Sequence, residues 1–202
     1  GQVVAMAPMH VVIVGGGVMG AATGCFLARD HGAAVTVLER DPAYTRASSA
    51  LSASSIRQQF SQPANIALSR WSVAFLRRVG DELAVGDDHP AIGLVEPGYL
   101  FLATTAAADA LRANHAVQHA AGADIVLLDP AALRERFAWL ATDDLALGAL
   151  GHSGEGWFDG PALMQALRRK AIACGARFVA AEATAFDTAA DRVAAVRCSD
   201  GT

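Results

Sequence analysis

The sequence predicts an α/β fold built on a parallel sheet. Three observations carry that prediction. A run of apolar β-formers, His10 to Val14, passes straight into three consecutive glycines and then into a stretch of small helix-formers. A second strand pattern, Ala34 to Glu39, follows closely, and strand–helix–strand at this spacing makes a βαβ unit with parallel strands and a right-handed crossover. The 202 residues, 53% hydrophobic and 18% charged, also suffice to bury a real core.

Each element has its own justification. His10–Val14 is continuously apolar without alternation, the pattern of a buried parallel strand. Met19–Arg29 reads as a helix with Gly32 as its stop. Asp41–Ser55 is rich in Ser and Ala, shows no period, and is expected to be a loop long enough to carry function. Pro63–Val79 reads as a helix with Leu68, Trp71, Phe75 and Val79 on one face and Gly80 as its end. The turn-rich DDHPAIGLVEPG forms a boundary. GYLFLAT and ADIVLLD are expected strands, with a helix from Thr105 to Ala121 between them that Gly122 stops. DPAALRERF carries Asp129 as a cap and Pro130 at the first helical position. DLALGALG is a strand or a bend. The last helix runs through PALMQALRRKAIAC, with Asp159 as cap, Leu163, Leu167 and Cys174 toward the core, and Gly175 as stop. From Arg177 onward the pattern suggests a two- or three-stranded meander.

Composition excludes several function classes. A net charge of −4 gives no basic face for a nucleic acid. No stretch has the length of a membrane span, and the first nine residues lack the layout of a signal peptide, which leaves Met9 as a candidate natural start. Cys25, Cys174 and Cys198 are odd in number and far apart, so no disulfide framework is expected and a cytoplasmic location is. No metal site is expected either.

Gly15, Gly17 and Gly20 stand in a G-x-G-x-x-G frame between strand and helix. Gly15 permits the tight turn, Gly17 lets backbone approach a pyrophosphate, and Gly20 lets helix and sheet pack closely. The helix N-terminus offers N–H groups and a positive dipole end to phosphates. Glu39 ends the second strand, where a carboxylate accepts from ribose hydroxyls and repels a 2′-phosphate. A dinucleotide site follows. What comes after Glu39 favours FAD over NAD: not another short βα unit but a hydroxyl-rich loop, whose Ser48, Ser49, Ser54 and Ser55 suit a ribityl chain and pyrophosphate. A NAD-linked dehydrogenase and a dinucleotide-binding fragment without catalysis stay as alternatives.

VVIVGGGVMGAATGCFLARDHGAAVTVLER, together with SSIRQQFSQPANIALS, resembles the D-amino-acid oxidase/sarcosine oxidase family of FAD-dependent oxidoreductases. Its members include glycine oxidase, the sarcosine and dimethylglycine enzymes and the flavin subunit of some proline dehydrogenases. GYLFLA, LLDPAALRERF and GEGWFDGPALMQAL match the family's segment order, so the resemblance spans residues 10–202. It implies a Rossmann-like FAD-binding domain in two segments, 9–92 and 155–202, around the first part of an α+β substrate domain at 93–154. It implies Gly15, Gly17, Val18, Met19 and Gly20 at the pyrophosphate loop and Glu39 and Arg40 at the adenosine. Ser48, Ser49, Ser54 and Ile56 would lie along the ribityl chain and flavin, Arg57 near the isoalloxazine, and the Ala183 backbone at adenine. The implied reaction moves a hydride from the C–H beside an amine nitrogen of a secondary amine or amino acid to flavin, with oxygen or another acceptor taking the electrons. No histidine lies between Asp41 and Phe60 for a histidyl-flavin link. No catalytic residue is nominated: the family's catalytic positions lie mostly beyond Thr202, and association with itself or with a missing C-terminal half is expected.

Overall fold

The computed structural model describes residues 9–201. Its elements, in order, are β1 His10–Val14, α1 Val18–His31, β2 Ala34–Glu39, β3 Ser55–Ile56, α2 Pro63–Leu76, α3 Val79–Glu82 and β4 Leu100–Ala103. A 3-10 turn, Thr105–Ala107, leads into α4 Ala108–Ala120, then β5 Ile125–Leu128, α5 Pro130–Arg136, β6 Leu147–Gly151 and β7 Gly156–Trp157. The chain continues with α6 Gly160–Ala173, β8 Arg177–Ala180, β9 Ala183–Ala189 and β10 Arg192–Cys198. Of the candidate start, only Met9 itself falls within the described residues.

Two compact units form. The first takes the chain up to Ser52, Val79–Ile92 and the chain from Gly160 onward; the second takes Ala53–Arg78 and Gly93–Asp159. Residues 53–78, grouped with the first segment in the sequence reading, therefore pack with 93–159.

The first unit has the expected parallel sheet, in the order β1-β2-β8. His10 pairs with Ala34 and Val14 with Leu38, while Thr36 pairs with Arg177 and Glu39 with Ala180. Helices α1 and α6 pack on each other through small and aliphatic residues: Ala21, Cys25 and Ala28 on one, Leu163, Ala166, Leu167 and Ala171 on the other, all buried. Burial pushes the Cys25 thiol up to about 11, so it is an inert core residue. Two expectations are corrected here. Strand β1 is not buried along its length: Val12 and Val14, on one face of the sheet, are exposed, while Val11 and Ile13 on the other face are partly buried. The chain after Arg177 is not one meander. Strand β8 adds to the parallel sheet, and only β9 and β10 form an antiparallel hairpin. Ala190 and Asp191, both at positive φ, turn it in the hand that suits a right-twisted hairpin.

The second unit carries an antiparallel sheet, β4-β6-β5, with β6 buried at every residue, and a separate short ladder of β3 and β7. Its core joins Ile66, Ala123, Ile125 and Ala149. Helix α5 starts as expected, the Asp129 side chain accepting from the Ala132 N–H at 2.8 Å. Helix α2 differs from expectation in face and length. Ile66, Ser69, Val73, Phe75 and Leu76 are buried, whereas Leu68 and Trp71 are 64% and 57% exposed. The helix is apolar on more than one side, so periodicity alone selects no face. It ends at Leu76, where the Arg78 N–H bonds back to Phe75 and tightens the last turn; Gly80 lies inside α3 instead.

Candidate functional site

The site grows from the turn between β1 and α1. Gly15 leaves the strand at φ +97°, and its N–H donates to Leu38 at 2.8 Å, which anchors the turn on β2. Helix α1 then starts so close to the turn that a Cβ on Gly20 would lie 1.8 Å from the Gly15 carbonyl oxygen. Protein packing therefore demands glycine at position 20. It does not at position 17, where a Cβ would meet only the Ser49 hydroxyl at 3.6 Å, an ordinary contact. Gly17 is the N-cap of α1, no side chain caps the helix, and its first turn holds no acid. The positive end of the helix thus opens with no acidic side chain of its own first turn in front of it.

In front of it lies a cavity of about 640 Å³, walled by this turn, the ends of β1 and β2, residues 40–49 and residues 181–183. Glu39 stands in its wall. One carboxylate oxygen accepts from the Gly16 N–H at 2.7 Å and the other from the Asp41 N–H at 2.7 Å. Each oxygen keeps a second lone pair for a ligand hydroxyl. The loop is shaped by Asp41, whose carboxylate accepts from the Thr45 hydroxyl at 2.7 Å and the Arg46 N–H at 3.2 Å. The Thr45 hydrogen bond above all holds the Asp41 carboxyl below its ordinary range.

Of the residues named from the sequence, Gly15, Gly17, Val18, Met19, Gly20, Glu39, Arg40, Ser48, Ser49 and Ala183 all line this cavity. Arg40 reaches Glu182 at 3.5 Å. Ser54, Ile56 and Arg57 belong to the other unit. Ile56 and Arg57 line a hollow of about 560 Å³ there, while the Ser54 carbonyl accepts from the Phe158 N–H at 3.0 Å. The Arg57 guanidinium lies over two rings, 4.9 Å from Phe60 and 5.6 Å from Phe101.

Sequence reasoning missed Tyr44, Arg46 and Thr23 in the cavity wall. Tyr44 is the most informative. It is buried at φ +56°, and its hydroxyl would sit 3.1 Å from a Cβ on Gly16. A left-handed residue costs about 1–2 kcal/mol, and burying an aromatic side chain contributes roughly 1.5–3 kcal/mol, so burial can hold the strain. A lone aromatic in a Ser/Ala loop was the available signal. The expectation of no metal site took the histidines to be scattered without an HxxxH spacing, and that is corrected: His115 and His119 stand four apart on α4. Among the described residues no three His, Cys, Asp or Glu gather as metal ligands, and no helix is long and apolar enough to cross a membrane.

The site suits a dinucleotide on an observation of its own: the glycine that packing does not require faces the cavity at the uncapped helix end. Comparison with known proteins agrees. The family model described as DAO, FAD dependent oxidoreductase, matches residues 10–202. FAD-dependent oxidoreductase domain-containing protein 1 of Xenopus laevis is 44% identical over 184 residues, covering 89% of this chain and 37% of the relative. The Drosophila melanogaster homolog is 36% identical over 180 residues, covering 88% of this chain and 34% of its own. The chain thus spans little more than a third of the length of these relatives. Among solved structures, glycine oxidase from Geobacillus kaustophilus matches with a TM-score of 0.74 at 30% identity, over 96% of this chain and 52% of that one. L-proline dehydrogenase from P. horikoshii shares the fold, with a TM-score of 0.82 at 23% identity over 96% of this chain and 50% of that one. With the glycine turn, the carboxylate at the end of β2 and the family match in place, the chain belongs to the DAO family of FAD-dependent oxidoreductases.

Proposed function

We propose that this chain supplies the dinucleotide-binding part of an enzyme that oxidises a secondary amine or an amino acid. FAD, when bound, supplies the hydride acceptor. The observation that carries the reading is the cavity at the head of α1, where Gly17 presents backbone rather than a side chain. The residues there divide the work. The N–H groups of the first turn of α1, with the helix dipole, bind phosphate charge. Glu39 accepts from ribose hydroxyls with the lone pairs left after it has fixed Gly16 and Asp41. The hydroxyls of Ser48 and Ser49 serve the chain between the phosphates and the flavin. The Ala183 backbone is assigned to adenine. For Arg57 as the flavin-side cation and Ile56 as an apolar wall, the support is the family resemblance of the segment that carries them. The substrate is a small amine or amino acid, and the electrons leave to oxygen or another acceptor. The amine substrate class draws support from the glycine oxidase likeness, and the cytoplasmic setting from three free cysteines. The match to an FAD family counts against the NAD-linked alternative.

The test is an FAD titration of the wild type and of Gly17→Val. A branched side chain at position 17 fills ligand space and meets little protein, so flavin retention is expected to collapse while the circular dichroism spectrum stays native. A variant that keeps full FAD occupancy would remove the phosphate loop from the reading.

A further inference from the structure

Glu155 is fully buried, at 0% exposure, just ahead of β7. A carboxylate so placed needs hydrogen-bond partners, and it has four N–H donors. One oxygen accepts from the backbone N–H groups of Gln58 at 2.6 Å and Gln59 at 3.1 Å. The other accepts from the Gln59 side-chain amide at 3.0 Å and the Tyr99 N–H at 3.2 Å. The surrounding backbone is cleared for it. A Cβ on Gly151 would lie 2.0 Å from the carboxylate, and one on Gly154 would lie 1.9 Å from the Gln58 side-chain nitrogen.

The donors come from two separate stretches of chain. Gln58 and Gln59 directly precede Phe60. Tyr99 directly precedes β4, which carries Phe101. Phe60 and Phe101 are the two rings that hold the Arg57 guanidinium. One carboxylate therefore fixes both walls of the clamp around a cation one residue away from its first donor. The Ser69 hydroxyl, donating to the Arg57 carbonyl, holds the Arg57 backbone.

The geometry points to Glu155 as the positioning residue of Arg57: through Gln58, Gln59 and Tyr99 it sets the spacing of the two rings and so the place of the guanidinium. The ring geometry stands by itself. The consequence for flavin rests on the proposed reading of Arg57 as the flavin-side cation.

Two measurements test this separately. The first does not involve flavin: the rate at which phenylglyoxal modifies Arg57, mapped by mass spectrometry. Glu155→Gln leaves donors without acceptors, and loss of two cation–π contacts is expected to raise that rate about tenfold. Gln59→Met removes one donor and keeps the volume, and a smaller rise is expected. A wild-type rate in a folded Glu155→Gln protein overturns the proposal; if Glu155→Gln does not fold, a wild-type rate in Gln59→Met does so. The second measurement is the ratio of FAD to ADP affinity. Glu155→Gln and Arg57→Gln are each expected to lower it, with the double variant no lower than Arg57→Gln alone; additive losses would overturn the positioning role. If Arg57→Gln leaves the ratio unchanged, the flavin-side reading of Arg57 fails, and the modification rate still judges Glu155.

Discussion

At the scale of single residues, the two glycines of the turn separate structural need from ligand need. Gly20 faces the Gly15 carbonyl at 1.8 Å, a backbone contact that cannot move aside cheaply. Gly20→Ala is therefore expected to destabilise the protein itself, by about 1–3 kcal/mol as overpacking does, read as a lower midpoint in thermal unfolding without ligand. Gly17→Val should leave that midpoint nearly in place and act on FAD. An unchanged midpoint for Gly20→Ala would mean that helix and turn are less tightly seated than the distance implies. Glu39 makes a third case. Glu39→Gln loses a charged acceptor, and hydrogen bonds to charged groups contribute roughly 1.5–3 kcal/mol. FAD affinity should fall by about one to two decades, and because the amide keeps only one acceptor oxygen for the two N–H groups of Gly16 and Asp41, ADP affinity should fall with it. A titration showing neither loss would return Glu39 to a role in loop structure alone.

At the scale of elements, helix ends and loop anchors decide where the chain turns. Arg77, at the end of α2, places two nitrogens on the Glu96 carboxylate, which also accepts from the Gly154 N–H at 2.9 Å. The Arg77 hydrogen bond above all lowers the Glu96 carboxyl below its ordinary value of 4.5. A lowered folded-state value adds stability that is present above the unfolded value and is lost as pH falls through the folded one. The wild type is therefore expected to be more stable than Arg77→Met at neutral pH, and the gap should close as pH drops below about 4.5, the unfolded glutamate value. Both groups are partly exposed, so solvent screening keeps the effect small. Urea midpoints for the two proteins across that range provide the check, and a gap that widens toward acid would reverse the sign.

At the scale of the whole molecule, the described surface leaves large apolar side chains in water. Val12 and Val14 are exposed on β1, and Phe186 and Val193 are 59% and 62% exposed on the β9–β10 hairpin. Strand edges and apolar patches of this kind favour association. The 202-residue chain is expected to associate in solution, and light scattering should show a mass above the monomer. Lys in place of Val12 and Val193 should reduce that mass, whereas a wild-type monomer at working concentration would count against an exposed interaction face. Much of this architecture was legible in the sequence, because it is local. The β1–α1–β2 unit, the glycine turn, the Asp129 cap and the carboxylate ending β2 are each specified by residues within a few positions of one another, where spacing and backbone sterics suffice. The family likeness followed from the same segment and from IRQQFS. What the sequence could not supply was long-range. It did not reveal that β8 crosses to pair with β2, that 53–78 packs with 93–159, or which face of α2 is buried, because an apolar helix has no marked side until a neighbour covers one. Nor did it reveal Tyr44 against Gly16, or Glu155 taking donors from chain nearly a hundred residues earlier. Those partners meet only through tertiary packing, since a buried carboxylate or a strained tyrosine is tolerated only where distant chain has already been brought to satisfy it.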